Sequence, residues 1–218
     1  MDPKIGSMSY SPLKDRLIRT AILAGIGLCM AALITIAGTM SSKQTDNTPA
    51  ILNIAGVGGP WQLTDQSGKP RTDKDLKSKY KLIYFGFTSC PAICPTELQK
   101  TAAAYKELSD SQKDQIQMIF ITVDPERDTA KVLKDYVSLF DPTMMGLTGT
   151  PEQIESVKNE YKVYAAKVPE GDSYMMDHSS FIYFMSPDDK LITLFKPAQT
   201  SSDMEEFIRK YLKKDSKL

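Results

Sequence analysis

Two cysteines stand four residues apart in Ser89-Cys90-Pro91-Ala92-Ile93-Cys94-Pro95, between the apolar run KLIYFGF (residues 81–87) and a stretch with helical spacing. Cysteines at i and i+4 share a face if the segment turns helically, and a helix N-terminus favours thiolate through its unpaired N–H groups and dipole. Thiolate attacks disulfides and ligates soft metals, so the pair reads as a redox-active dithiol, a two-sulfur metal site, or both. Pro91 and Pro95 stiffen the loop and hold the sulfurs in place. A static disulfide is the weaker reading, because a bridge over three intervening residues removes little chain entropy.

His178, the one histidine of the chain, stands in Asp177-His178-Ser179 within YMMDHSSFIYF. A lone histidine beside an apolar strand is ordinarily a hydrogen-bonded core or surface residue. It becomes a ligand if the fold carries it to the cysteines, where two thiolates and one imidazole suit Cu(I) and accept Cu(II) or Zn(II). In a regular strand Asp177 points opposite to His178, so it is not expected to orient the imidazole. Met175 and Met176 read as core residues rather than as further sulfur ligands.

The elements that must position these groups follow from periodicity. WQLTDQSGKPRT predicts a hairpin turning at Ser67-Gly68. Residues 81–87 and 116–123 (IQMIFITV) are nearly continuous apolar runs, as in strands buried on both faces. Leu98, Ala102, Tyr105 and Leu108 form a helical stripe after the cysteines; Asp128 caps a second helix with Val132, Leu133, Tyr136 and Phe140 inward. A short apolar stretch at 144–147 leads to Thr150-Pro151-Glu152-Gln153, a capping box with proline at the first helical position, and that helix runs to about Tyr161. Residues 174–185 and 190–195 are β-rich runs joined at Ser186-Pro187-Asp188-Asp189, with His178 near the start of that hairpin. Ser202 with Glu205 caps a final helix carrying Phe207, Ile208, Tyr211 and Leu212. This order predicts an α/β, thioredoxin-like fold, a central mixed sheet flanked by helices, over residues 56–214.

Residues 20–42 carry no charge and are long enough, at about 1.5 Å per residue, for a helix to cross a bilayer core. An apolar region of this length favours an uncleaved single-pass transmembrane anchor over a signal peptide, and Leu28 before Cys29 disfavours a lipoprotein. Lys14, Arg16 and Arg19 place segment 1–19 in the cytoplasm and send the rest outward through a small, polar linker at 43–55. Asp2 and Asp15 argue against a mitochondrial transit peptide, so the expected location is a bacterial inner membrane, in preference to the mitochondrial inner membrane, with the C-terminal domain in the periplasm or other extracytoplasmic space. With 27 basic against 27 acidic residues and no basic stripe, nucleic-acid binding is not expected.

YFGFTSCPAICPTEL, FITVDPERDT and YMMDHSSFIYFMSPDDK, in this order after an anchor, resemble the Sco/SenC family of membrane-anchored, thioredoxin-fold copper proteins that serve cytochrome c oxidase assembly. The resemblance covers roughly residues 51–212. By matching position it implies Cys90, Cys94 and His178 as copper ligands, for Cu(I), Cu(II) or both, with the loop acid Asp124 as a support of the site rather than a ligand. It implies as partners the copper-centre subunit of the oxidase and a copper donor or reductant. Ala92 departs from the acidic residue usual after Cys-Pro, which leaves thiolate slightly easier to form. Two activities fit: a copper chaperone, which is not an enzyme, and a thiol-disulfide oxidoreductase with Cys90 and Cys94 as its catalytic pair. His178 favours the first, because disulfide exchange needs no distant imidazole. A peroxiredoxin-type peroxidase would need threonine and proline where Phe87 and Ile83 stand.

Overall fold

Unbroken apolar runs bury on both faces, and β3 (Tyr80–Gly86) and β4 (Ile116–Thr122) do so: every residue of β3 is buried, Lys81 included. The computed structural model describes residues 56–215 together with Leu23, Gly25, Pro49 and Ala50. Two units are distinguished, Met1–Asp46 and Asn47–Leu218. The expected anchor at 20–42 lies, but for Leu23 and Gly25, outside the described residues; among these, no helix is long and apolar enough to cross a membrane.

Seven strands form one mixed sheet in the order β2-β1-β5-β4-β3-β8-β9, comprising β1 (Gln62–Asp65), β2 (Pro70–Thr72), β3, β4, β5 (Met145–Thr148), β8 (Ile182–Met185) and β9 (Leu191–Phe195). β3, β4 and β5 are parallel, whereas β8 runs antiparallel to β3 with Tyr84 opposite Ile182. The segment entering β8 therefore arrives beside the segment leaving β3. Around the sheet lie α1 (Ile93–Lys106), α2 (Asp110–Lys113), α3 (Ala130–Ser138), α4 (Pro151–Tyr161) and α5 (Ser201–Asp215), with α5 packed on α1 and α3 on β5. A second, two-stranded sheet pairs β6 (Ala165–Glu170) with β7 (Ser173–His178) and turns at Gly171, whose φ of 57° suits glycine.

The α/β architecture, the turn at Gly68 (φ 80°) and the capping box are as the sequence leads one to expect. Thr150 Oγ1 accepts from Gln153 N at 3.3 Å while Gln153 Oε1 accepts from Thr150 N at 2.8 Å. Several expectations are corrected. The run 174–185 is two strands in two sheets, broken at Ser179-Ser180-Phe181, so His178 ends β7 rather than opening the β8–β9 hairpin. β6 was not expected because its exposed AAKVPE lacks apolar alternation. Thr129, not Asp128, caps α3, and Val132 faces outward at 38% exposure. Thr200 and Asp203, not Ser202 and Glu205, cap α5. On α1 the buried face runs through Cys94, Glu97, Leu98, Thr101 and Ala104, with Ala102 only half-buried. Local chemistry allows either register in each case; packing against the sheet chooses one.

Candidate metal and thiol centre

Three chain segments meet beyond the C-terminal edge of β3 and β4, where parallel strands of an α/β sheet present their ligand-binding loops. The β3–α1 loop brings Cys90, and the first turn of α1 brings Cys94, which begins the helix's buried face. Leaving β7, the chain brings His178 from the other side. One sulfur from each cysteine and one ring nitrogen of His178 lie within 4.8 Å of one another. Three trigonal ligands about 2.0–2.3 Å from one ion stand about 3.5–4 Å apart, so a small contraction would bring all three to one centre.

Cys94 Sγ lies 3.4 Å from His178 Nε2. On the other side of the ring, Nδ1 is 3.0 Å from the carbonyl of Ser179, which can only accept, so Nδ1 carries a proton and Nε2 is the ring atom turned toward the sulfurs. The backbone, rather than a carboxylate, orients the ring. Asp177 is exposed on the opposite face of β7, as strand alternation requires. Phe87 and Tyr84 hold the imidazole edge-on, with ring centroids at 5.7 Å and 6.1 Å.

Both cysteines are free and buried, Cys94 at 0% exposure and Cys90 at 9%. Their protons are unequally held. The Cys94 thiol donates toward Cys90, His178 also faces Cys90, and the Cys94 N–H points at Cys90 Sγ from 3.4 Å; together these outweigh burial and bring Cys90 down to about 4. The hydrogen bond to Cys90, with burial, holds the Cys94 proton and pushes its pKa up. The arrangement favours a thiolate at Cys90 beside a thiol at Cys94.

Supporting residues come from both neighbouring loops. Asp128, fully buried, accepts from Thr88 N at 3.0 Å, Thr88 Oγ1 at 2.6 Å and Thr122 Oγ1 at 2.6 Å, which pins the start of the cysteine loop to the end of β4. Burial raises its pKa and those hydroxyl bonds oppose the rise. Gly86 makes room beneath the site, since a Cβ there would stand 2.9 Å from Cys94 Sγ. The carboxylate of Asp124 is engaged by Arg127 and by Tyr174 Oη, the latter at 2.8 Å. Met175 and Met176 are half-buried against the core. The sequence reading did not single out Gly86, Thr88, Arg127 or Tyr174. A glycine inside an otherwise apolar strand was a usable signal of close approach; nothing local marked the other three.

Residues 51–213 match the SCO1/SenC family model. Among curated proteins, the mitochondrial protein SCO2 of Saccharomyces cerevisiae is 44% identical over 155 residues, 70% of this chain and 51% of that protein, so the chain spans about half its relative's length. Among solved structures, Bradyrhizobium japonicum ScoI with copper bound is 44% identical and superposes with a TM-score of 0.66 over 71% of this chain and 99% of that one. BsSco, described as having a disulfide switch and as a member of the Sco family of cytochrome c oxidase assembly proteins, is 27% identical, with a TM-score of 0.58 over 73% and 94% of the two chains.

Proposed function

The chain belongs to the SCO1/SenC family, and from that premise we propose that it is a membrane-anchored copper chaperone. Its domain stands outside the cytoplasm, held by residues 20–42 at a bacterial inner membrane. It carries copper on Cys90, Cys94 and His178 and delivers it to the binuclear copper centre of a cytochrome c oxidase subunit. The observation that supports this most directly is the convergence of the three ligand atoms within 4.8 Å, with His178 Nε2 turned to the sulfurs by the Nδ1 bond to Ser179. The donor set suits the cargo: two sulfurs and one imidazole match Cu(I), and a Cys90 thiolate needs no base to free a ligand. The binuclear centre as recipient is carried from the family resemblance.

A second activity is favoured by a separate observation, the unequal protonation of the sulfurs. A thiolate at Cys90 beside a thiol at Cys94 is a dithiol ready to attack a disulfide of the oxidase subunit. Cys90 Sγ would form the mixed disulfide, and Cys94, on losing its proton, would release the target as a dithiol. The two activities exclude each other at any moment, since a Cys90–Cys94 disulfide has no thiolate to offer.

Titration of Cu(I) into the full chain, once reduced and once with the disulfide formed, tests the assignment. Near-stoichiometric binding by the reduced form and little by the oxidised form is expected. Comparable binding by both would show that the cysteines are not the principal ligands.

A further inference from the structure

We propose that Arg127 is the positioning residue that holds His178 over the cysteines, latching the third arm of the site through a side chain outside the ligand set. The inference rests on the ligand reading above and adds a residue to it.

His178 sits at the end of a hairpin that is no part of the main sheet: β6 and β7 pair only with each other, and four of the six residues of β6 are exposed. A two-stranded hairpin alone is marginal in water, so its placement must come from contacts to the body. Ala165, Met175 and Met176 pack against the core, and among the described residues the hairpin's side-chain polar ties other than those of His178 itself run to one loop. Lys167 Nζ pairs with Glu126 at 2.6 Å, Tyr174 Oη donates to Asp124 at 2.8 Å and lies 3.4 Å from Glu126, and Arg127 Nη1 donates to the Tyr174 carbonyl at 2.9 Å.

Arg127 is the hub. Its Nε pairs with the buried carboxylate of Asp124, and its guanidinium lies 4.0 Å from the ring centroid of Tyr174 and 5.9 Å from that of Phe87. Asp124, Arg127 and Tyr174 thus close a ring of contacts in which each holds the other two. Tyr174 and His178 are four apart on one strand and so share a face; fixing the first fixes the direction of the second. Phe87, against the other part of the guanidinium, is edge-on to His178 and three residues before Cys90. Arg127 therefore lies between the two segments that bring the ligands. A planar fork that bonds sideways while stacking is a task for arginine, which lysine cannot reproduce. An exposed ion pair would be worth little, but the Asp124 side chain is 0% exposed.

The test is a double-mutant cycle on the full chain, combining Arg127→Leu with His178→Ala. Three readouts are taken: Cu(I) affinity by competition with a chromophoric chelator, the rate of Cys90–Cys94 oxidation in the metal-free protein, and amide hydrogen exchange of residues 165–178. Arg127→Leu is expected to lower Cu(I) affinity roughly 10- to 100-fold, the range for residues that orient a ligand. It should have almost no further effect once His178 is alanine, leave dithiol oxidation unchanged, and speed exchange in the hairpin but not in β3 or β4. Where Arg127→Leu does not fold, Arg127→Lys keeps the charge and loses the fork, and a smaller loss with the same dependence on His178 is expected. An undiminished loss in the His178→Ala background, or equal damage to dithiol oxidation, overturns the proposal. So does full affinity in Arg127→Leu when His178→Ala has lost it. If His178→Ala itself binds like the wild type, the ligand reading has failed instead, and the latch is still decided by exchange: no acceleration in the hairpin overturns it.

Discussion

The cysteine loop and the histidine hairpin reach the same point from opposite kinds of ground. The cysteine loop leaves a strand buried along its whole length, is pinned by Asp128 to the end of β4, and enters a helix whose first buried residue is Cys94. The hairpin stands outside the main sheet and is fastened by polar side chains to residues 124–127. Moving the first disturbs the centre of the core; moving the second costs polar contacts and the packing of half-buried Ala165, Met175 and Met176 at its margin. The two cysteines are thus held by the centre of the fold and His178 by its periphery.

The largest effect separates the two regions outright. Cys90→Ser or Cys94→Ser should abolish both Cu(I) binding and disulfide formation, because each needs two sulfurs, whereas His178→Ala should weaken binding strongly and leave the dithiol oxidisable. Thiol counting and copper competition on the three variants check this, and a His178→Ala protein that can no longer form the disulfide would break the division. Next in size, Gly86→Ala strikes the rigid region alone. The added Cβ would meet Cys94 Sγ and Tyr84 Cε1 at 2.9 Å and Phe120 Cε2 at 3.0 Å, in a core without room to yield. A loss of about 1–3 kcal/mol in chemical denaturation is expected, with slower disulfide formation; unchanged stability and oxidation would show that the strand gives way freely.

The smallest effect lies within the cysteine loop itself. A depressed pKa means that the Cys90 thiolate persists as pH falls and is lost only through about 4, whereas an ordinary thiol loses tenfold in reactivity per unit below about 8.5. Alkylation by iodoacetamide should therefore fall on Cys90 rather than Cys94 and change little in rate between pH 8 and pH 6. Since the Cys94 thiol is the chief cause and His178 a lesser one, Cys94→Ser should raise the midpoint more than His178→Ala does. A tenfold decline per unit in the wild type over that range would refute the assignment.

What was legible in the sequence is what depends on near neighbours. Apolar runs of strand length marked β3 and β4, Thr150 to Gln153 declared a helix start, and Cys90 and Cys94 advertised their chemistry by spacing alone, since one helical turn brings i and i+4 together. Strand alternation even told that Asp177 would not serve His178. Tertiary structure decided the rest. β6 has no apolar pattern because it is exposed, so its pairing with β7 was invisible, and with it the fact that His178 ends one sheet just before the chain enters another. Asp128 read as a cap and became the clamp of the cysteine loop, because the chain crosses from β3 to β4 and puts Thr88 and Thr122 within its reach. Nothing in the sequence set Arg127 apart; its meaning comes from Tyr174, 47 residues away, lying against it. Residue types and spacing determine which chemistry a segment can perform. Whether a second segment arrives to complete it depends on the direction in which strands run, here on β8 lying antiparallel to β3, which sets the approach from His178 beside the exit toward Cys90.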